Sequence, residues 1–146
     1  MSQRDHSVPK PEAQAALLTC EQDLASSISP ETRGVFPPVL ASARMIALME
    51  LAAARCLEPL LASGERSVGV ALSIEHTKPT PLGAHVVAHA RWLGQEGKLH
   101  RFEVIAEDEA GEIGRGAHTR AIVETDRLLA GAAKRARSRP KHVQPG

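Results

Sequence analysis

The chain has 146 residues, a formal net charge of +1, 42% hydrophobic residues and 2% aromatic residues. This length suits one domain with a single core. A nearly neutral charge with so few aromatic side chains disfavours a nucleic-acid-binding protein. No stretch approaches the roughly 18 apolar residues of a membrane span, and the opening MSQRDHSVPKPE lacks the apolar segment of a signal peptide. We therefore expect a cytoplasmic protein that is not bound to a membrane.

The predicted domain covers residues 15–130, between a flexible segment at 1–14 and a basic, mobile tail at 131–146. Apolar residues of one parity in ALLTCEQDLAS predict a strand from Ala16 onward. The following SISPETRGVFPP collects Ser, Pro and Gly and predicts a loop. Cys20 and Cys56 lack the spacing of a zinc site, and we interpret both as small core residues.

A long helix is predicted over residues 39–61, and its about 23 residues would span ~35 Å. Apolar residues recur there at steps of three and four, namely Val39, Ile46, Met49, Ala53, Leu57 and Leu60. The glycine of ASGE ends the helix. One acid, Glu50, interrupts the apolar face of MIALMELAAARCLEPLL. Its position on that face predicts that it points toward the core.

Four strands are predicted after the helix. In RSVGVALSIEHTKP, alternate residues should face the helix, namely Val68, Val70, Leu72, Ile74 and His76. AHVVAHARWLG, KLHRFEVIAED and EIGRGAHTRAIVET predict the other three, joined by glycine-containing turns. We expect an α+β fold with one long helix on a curved antiparallel sheet of about five strands, the last four forming a meander. The uncovered sheet surface and free strand edges predict that two protomers associate.

Glu50 and His76 are predicted to face one space between the helix and the sheet. A carboxylate removed from water must be paired or take a raised pKa, and a neighbouring histidine suits proton transfer. Ser42 lies two helical turns before Glu50, ~12 Å along the axis. These two side chains would bracket a substrate or meet groups from a second protomer. Each residue also has a structural interpretation: an outward-reaching glutamate, a satisfied histidine and a capping serine.

Other polar features have structural interpretations of at least equal weight. Gly114 and Gly116 indicate either a groove for a ligand or a closely packed strand. His85, His89 and Arg91 share one strand face that is typical of a solvated surface, and we expect no metal site. A basic run near the end is typical of a solvated tail, with phosphate binding as the alternative; it comprises Lys134, Arg135, Arg137, Arg139 and Lys141.

Three segments in this order and spacing resemble the fluoroacetyl-CoA thioesterase family of hotdog-fold proteins: VLASARMIALMELAAARCLEPLL, SVGVALSIEHTKPTPLGAHV and EAGEIGRGAHTRAIV. The resemblance covers roughly residues 15–126. Its most specific part combines a helix carrying LME with a strand ending in HTKPTPLG. It implies a long helix wrapped by an antiparallel sheet, a homodimer with a tetramer left open, and acyl-CoA bound at the protomer interface. No cofactor is implied, because CoA is part of the substrate.

The resemblance also implies roles for six residues. A catalytic group falls on Ser42, Glu50 and His76, and substrate-binding positions fall on Phe36, Gly69 and Arg120. The fluoroacetyl-specific member of the family has threonine where this chain has Ser42, and serine keeps the hydroxyl. That member also has a second lid aromatic where this chain has Arg33. The apolar gate is therefore half present, and specificity for a fluorinated acyl group does not follow.

The expected reaction is hydrolysis of a small acyl-CoA thioester to a carboxylate and free CoA. Glu50 would attack the carbonyl or activate water, His76 would protonate the sulfur or position water, and Ser42 would bond to His76 or the substrate. Two alternatives remain. One is a non-catalytic hotdog module that binds acyl-CoA or a small apolar ligand, and the other is a hydratase acting on enoyl-CoA.

Overall fold

The computed structural model of the protein describes residues 7–138. Five strands form one antiparallel sheet: β1 (Glu12–Leu18), β2 (Glu65–His76), β3 (His85–Glu96), β4 (Leu99–Asp108) and β5 (Gly111–Glu124). Two helices accompany them, α1 (Ser42–Leu57) and α2 (Thr125–Arg137). The basic residues up to Arg137 thus lie on an exposed helix, whereas Arg139 and Lys141 lie outside the described residues, as do residues 1–6. The predicted division into three segments stays a prediction.

The order of strands across the sheet is β1-β3-β4-β5-β2. The predicted meander is therefore correct for β3 to β5 and wrong for β2, which pairs with β5 at the far edge. The physical reason is that β1 occupies the other side of β3, with Leu17 opposite Val86. The predicted strand from Ala16 also begins earlier, at Glu12, and ends before Cys20. Cys20 is consequently exposed, so its placement in the core was wrong, while Cys56 is buried.

Helix α1 is shorter than predicted: its 16 residues span about 24 Å at 1.5 Å per residue. Leu40 and Ala41 are held in extended form, because the Leu40 N–H donates to the Thr80 carbonyl and Leu40 forms a β-bridge with Leu24. At the other end, Pro59 lies in a short 3₁₀ turn, where it has no N–H to continue the helix. The face of α1 toward the sheet is fully buried, with Met45, Met49, Ala52, Ala53, Cys56 and Leu57 in the core.

Strand β2 carries a bulge that the alternating pattern did not predict. Gly69 lies opposite Arg120, whereas Ala71 lies opposite Thr119, so one extra residue is inserted between them. Directly opposed residues of an antiparallel pair share a face of the sheet. Gly69 therefore faces α1 together with Arg120. Val68 faces the other way, contrary to the predicted alternation, because an extra residue shifts the parity of a strand.

Two glycines of β5 let neighbouring elements approach closely. A Cβ atom on Gly114 would lie 2.8 Å from the Met45 sulfur of α1 and 2.6 Å from the Glu75 carbonyl oxygen of β2. A Cβ atom on Gly116 would meet the backbone of Ser73 and Ile74 in β2. Close packing, rather than a ligand groove, accounts for both residues.

Within residues 7–138, neither helix combines the length and the apolar character needed to cross a bilayer. The cytoplasmic location stays a prediction.

Candidate active site

Ser42 and His76 are brought together from the first residue of α1 and the last residue of β2. The Ser42 Oγ and His76 Nδ1 atoms are hydrogen-bonded at 2.7 Å. Ser42 does not cap the helix, since Ala41 occupies that position. Burial lowers the pKa of His76, which favours a neutral imidazole able to exchange a proton. Its Nε2 atom is buried and has no hydrogen-bond partner among the described residues.

A cavity of about 590 Å³ adjoins this pair. Its wall is largely apolar, with Ile28, Phe36, Val39 and Leu40 beside Ser42 and His76. Phe36, the predicted lid residue, lies on the cavity wall and is 50% exposed. A mostly apolar cavity with a few convergent polar groups is the usual form of a small-ligand site.

Glu50 lies two turns further along α1, where it meets a buried arginine. Arg120 Nη1 of β5 donates to Glu50 Oε2 at 3.0 Å. Arg120 is only 6% exposed, and its other nitrogens are also engaged. Its Nε donates to Ser67 Oγ at 3.0 Å, and its Nη2 donates to the Ser67 carbonyl oxygen at 2.9 Å. A buried guanidinium with this many partners has a fixed orientation.

Gly69 has no side chain, and the Glu50 carboxylate occupies the space that a side chain would fill. A Cβ atom at Gly69 would lie 2.6 Å from Glu50 Oε2, closer than real Cβ contacts allow. The residue sits at the bulge opposite Arg120. Any side chain at this position would therefore displace the carboxylate.

His118 belongs to this cluster, although it was given no role in the sequence analysis. Its Nδ1 donates to the Ala71 carbonyl oxygen at 2.8 Å, and its Nε2 lies 3.1 Å from Arg120 Nη1. Burial lowers its pKa. Its spacing of two residues from Arg120 was the available signal, because that spacing places both side chains on one face of a strand. Ser67 gave no comparable signal.

The six predicted site residues thus form two groups. Phe36, Ser42 and His76 meet at the cavity, and Glu50, Gly69 and Arg120 meet at the β2 bulge. Glu50 and His76 were predicted to face one space; among the described residues Glu50 is hydrogen-bonded to Arg120 and His76 to Ser42. The separation of Ser42 and Glu50 on one helix, ~12 Å along its axis, leaves room for a substrate between the groups.

His89 and Arg91 contact acidic side chains on the protein surface. His89 Nε2 lies 2.8 Å from Glu107 Oε1, and Arg91 Nη2 lies 3.4 Å from Glu103 Oε1. In the part of the chain that the structure describes, no three His, Cys, Asp or Glu side chains are arranged to hold a metal ion.

Comparison with known proteins gives these groups a context. The profile of a family described as fluoroacetyl-CoA-specific thioesterase matches residues 21–126. The chain belongs to this family. A fluoroacetyl-CoA thioesterase from Streptantibioticus cattleyicolor is 39% identical over 95 residues, which is 65% of this chain and 68% of that protein. The sequence-based assignment to the family and to the thioester hydrolases is confirmed.

Solved structures confirm the hotdog fold. A threonine-to-serine mutant of the fluoroacetyl-CoA thioesterase FlK, in complex with acetyl-CoA, is 31% identical with a TM-score of 0.80. The match covers 87% of this chain and 97% of that one. A Thermus thermophilus thioesterase superfamily member, at 23% identity and a TM-score of 0.77, covers 92% of this chain and 96% of its own, and supports the fold alone. The family membership does not by itself assign roles to individual side chains.

Proposed function

We propose that the protein hydrolyses a small acyl-CoA thioester to a carboxylate and free CoA. The observation that carries this proposal is the 2.7 Å contact between Ser42 and His76 on the wall of an apolar cavity, in a member of a thioesterase family. A hydroxyl, a neutral imidazole and a carboxylate are the groups that thioester hydrolysis uses. The acyl group would occupy the cavity. The proposed substrate class comes from the relatives. One is named a fluoroacetyl-CoA thioesterase, and another is a structure in complex with acetyl-CoA.

Glu50 is the proposed base or nucleophile. It either removes a proton from the water that attacks the thioester carbonyl, or attacks that carbon itself to give an acyl-enzyme anhydride that water then cleaves. In both routes the carbon–sulfur bond breaks and the electron pair leaves with sulfur. His76 positions the water, or relays to that sulfur the proton that the reacting water gives up and so is neutral before and after turnover, and Ser42 holds the imidazole. Backbone N–H groups beside Gly69 would approach the carbonyl oxygen, because no side chain stands in the way.

Arg120 receives a different role from the one that the resemblance suggested. Its three guanidinium nitrogens are engaged by Glu50, Ser67 and His118, and the side chain is buried. We assign it to fixing Glu50 Oε2, rather than to direct binding of the substrate. The predicted acyl-CoA contacts of Gly69 and Phe36 are retained.

We also propose that two protomers join along the free edge of β2. Within residues 7–138 this strand has one neighbour in the sheet, and Val70 and Leu72 are about half exposed although both are apolar. Edge strands of this kind are commonly paired between subunits. Because the bulge at Gly69 lies on this edge, the Glu50 group would lie next to the interface. A Leu72→Lys variant should run as a monomer in size-exclusion chromatography with light scattering, whereas an unchanged dimer would rule out this edge. A tetramer remains an outcome of the same measurement.

The test of the reaction is release of free thiol from acetyl-, fluoroacetyl-, branched and aromatic acyl-CoAs. We expect rapid release from at least one short acyl-CoA. Binding of acyl-CoA without release from any of them, by folded protein, would overturn the proposal and favour the non-catalytic binding module. Loss of the enoyl absorbance of crotonyl-CoA without thiol release would instead identify a hydratase.

A further inference from the structure

We propose that His118 is a positioning residue, which holds the Arg120 guanidinium in the orientation that fixes Glu50. The inference rests on the proposed function only in assigning Glu50 a part in the reaction. The contacts that support it belong to the folded chain itself.

The hydrogen-bond partners of His118 determine which ring nitrogen carries its proton. Arg120 Nη1 lies 3.1 Å from His118 Nε2, and a guanidinium N–H can only donate. Nε2 must therefore accept and be unprotonated. The proton then sits on Nδ1, which donates to the Ala71 carbonyl oxygen at 2.8 Å. Both ring nitrogens are satisfied by one neutral tautomer.

The surroundings of His118 keep it in that neutral form. The residue is 1% exposed, and its ring lies 6.2 Å from that of Phe102, centroid to centroid. Burial is the main cause that lowers the pKa of His118. The hydrogen bond to the Ala71 carbonyl opposes it, the charge of Arg120 lowers the pKa further, and the charge of Glu50 raises it. Protonation of Nε2 would set a donor against a donor and place a second cation beside Arg120.

The same Arg120 nitrogen serves both partners. Nη1 has two N–H groups, and the structure directs one to Glu50 Oε2 and the other to His118 Nε2. His118 thereby holds the planar guanidinium at the same nitrogen that bonds to the carboxylate. A continuous path of hydrogen bonds runs from the Ala71 carbonyl, beside the bulge, through His118 and Arg120 to Glu50. Reacting groups must be held to a fraction of an ångström, and misplacement by about 1 Å can cost roughly 10²-fold in rate.

Three substitutions separate the two hydrogen bonds of His118. In His118→Gln, the amide oxygen can accept from Arg120. In His118→Asn, the shorter amide can donate to Ala71 but cannot reach Arg120. His118→Phe fills the space and makes neither bond. We expect His118→Gln to keep kcat within about tenfold, and the other two variants to lose about 10²-fold in kcat with little change in KM.

If His118 had a purely structural role, the loss of kcat in the three variants would follow their loss of thermal stability. The melting temperatures of the three variants are therefore measured beside kcat. If kcat follows thermal stability and not the presence of an acceptor for Arg120, the positioning role is overturned.

A readout without substrate makes the inference independent of the reaction. Nitrogen-15 NMR of the full chain at pH 7 should show His118 protonated on Nδ1 only. Hydrogen exchange of the Arg120 guanidinium should accelerate in His118→Phe and stay slow in His118→Gln. The other tautomer, or equal exchange in both variants, would overturn the inference. If the wild type hydrolyses no acyl-CoA, the proposed function fails, while this measurement still decides whether His118 holds Arg120.

Discussion

Arg120 Nη1 donates a hydrogen bond of 3.0 Å to Glu50 Oε2, and this contact joins β5 to the middle of α1. The carboxylate therefore sits on the apolar face of its helix with a buried cation as its partner. Ser42 and His76 form a second, separate polar group at the cavity. The following predictions test the two groups separately.

Removing the Ser42 hydroxyl should weaken catalysis without affecting folding. We expect Ser42→Ala to lose about 10²-fold in kcat, because His76 loses the hydrogen bond that orients it. Ser42→Thr keeps the hydroxyl and should retain activity within about tenfold. Steady-state thiol release from both variants gives the comparison. Equal loss in both would indicate a steric effect, and the role of the hydroxyl would be wrong.

Adding one methyl group at Gly69 should displace the Glu50 carboxylate. The Gly69→Ala methyl would lie 2.6 Å from Oε2 and 3.3 Å from His118 Cε1, and the flexible end of Glu50 can move away only by losing its hydrogen bond to the buried Arg120. We expect a loss of about 10²-fold in kcat per folded molecule together with a lower melting temperature.

The matched control for Gly69→Ala is Gly131→Ala on the exposed helix α2, where a Cβ atom meets nothing within 4 Å. This control should leave kcat unchanged. Full activity in Gly69→Ala would show that the position of Glu50 at the bulge does not matter for turnover.

The same substitution at Gly114 should instead destabilise the fold. Its methyl group would press on the Met45 sulfur and the Glu75 carbonyl, and overpacking of a core typically costs about 1–3 kcal/mol. Urea unfolding of Gly114→Ala should show this loss. An unchanged unfolding midpoint would mean that β5 and α1 are not packed this closely.

Three histidines should make stability depend on pH. Burial lowers the pKa of His76, His100 and His118 in the folded protein, relative to about 6.5 when unfolded. Below pH 6.5 the unfolded chain binds more protons, so this part of the stability is complete above 6.5 and is lost as pH falls toward the folded pKa values.

The measurement is the urea unfolding midpoint at pH 7.5 and at pH 5.5. We expect a lower midpoint at pH 5.5, and a smaller decrease in His118→Phe, which has one buried histidine fewer. An equal or higher midpoint at pH 5.5 in the wild type would contradict the lowered pKa values of these three histidines.

Most secondary structure followed from the sequence, because four predicted strands and the core face of α1 have clear periodicity. The bulge at Gly69 could not be predicted, since it depends on how β2 pairs with β5 and leaves no mark in the local pattern. The same pairing, and not the alternation within β2, sets Gly69 opposite Arg120. Cys20 was misplaced because β1 ends at Leu18, so Cys20 lies in the turns that follow the strand and not in the strand itself. His118 was missed because one of its partners, the Ala71 carbonyl oxygen, belongs to β2 and is 47 residues away in the chain.

The most direct test of the account is turnover of the best acyl-CoA substrate by the wild type and by Glu50→Gln, with both proteins shown to be folded by circular dichroism. Glutamine has nearly the same shape and can still accept from Arg120, but it cannot act as a base or a carboxylate nucleophile. The account predicts a loss of roughly 10³-fold or more in kcat. Turnover within tenfold of the wild type would contradict the central role of Glu50.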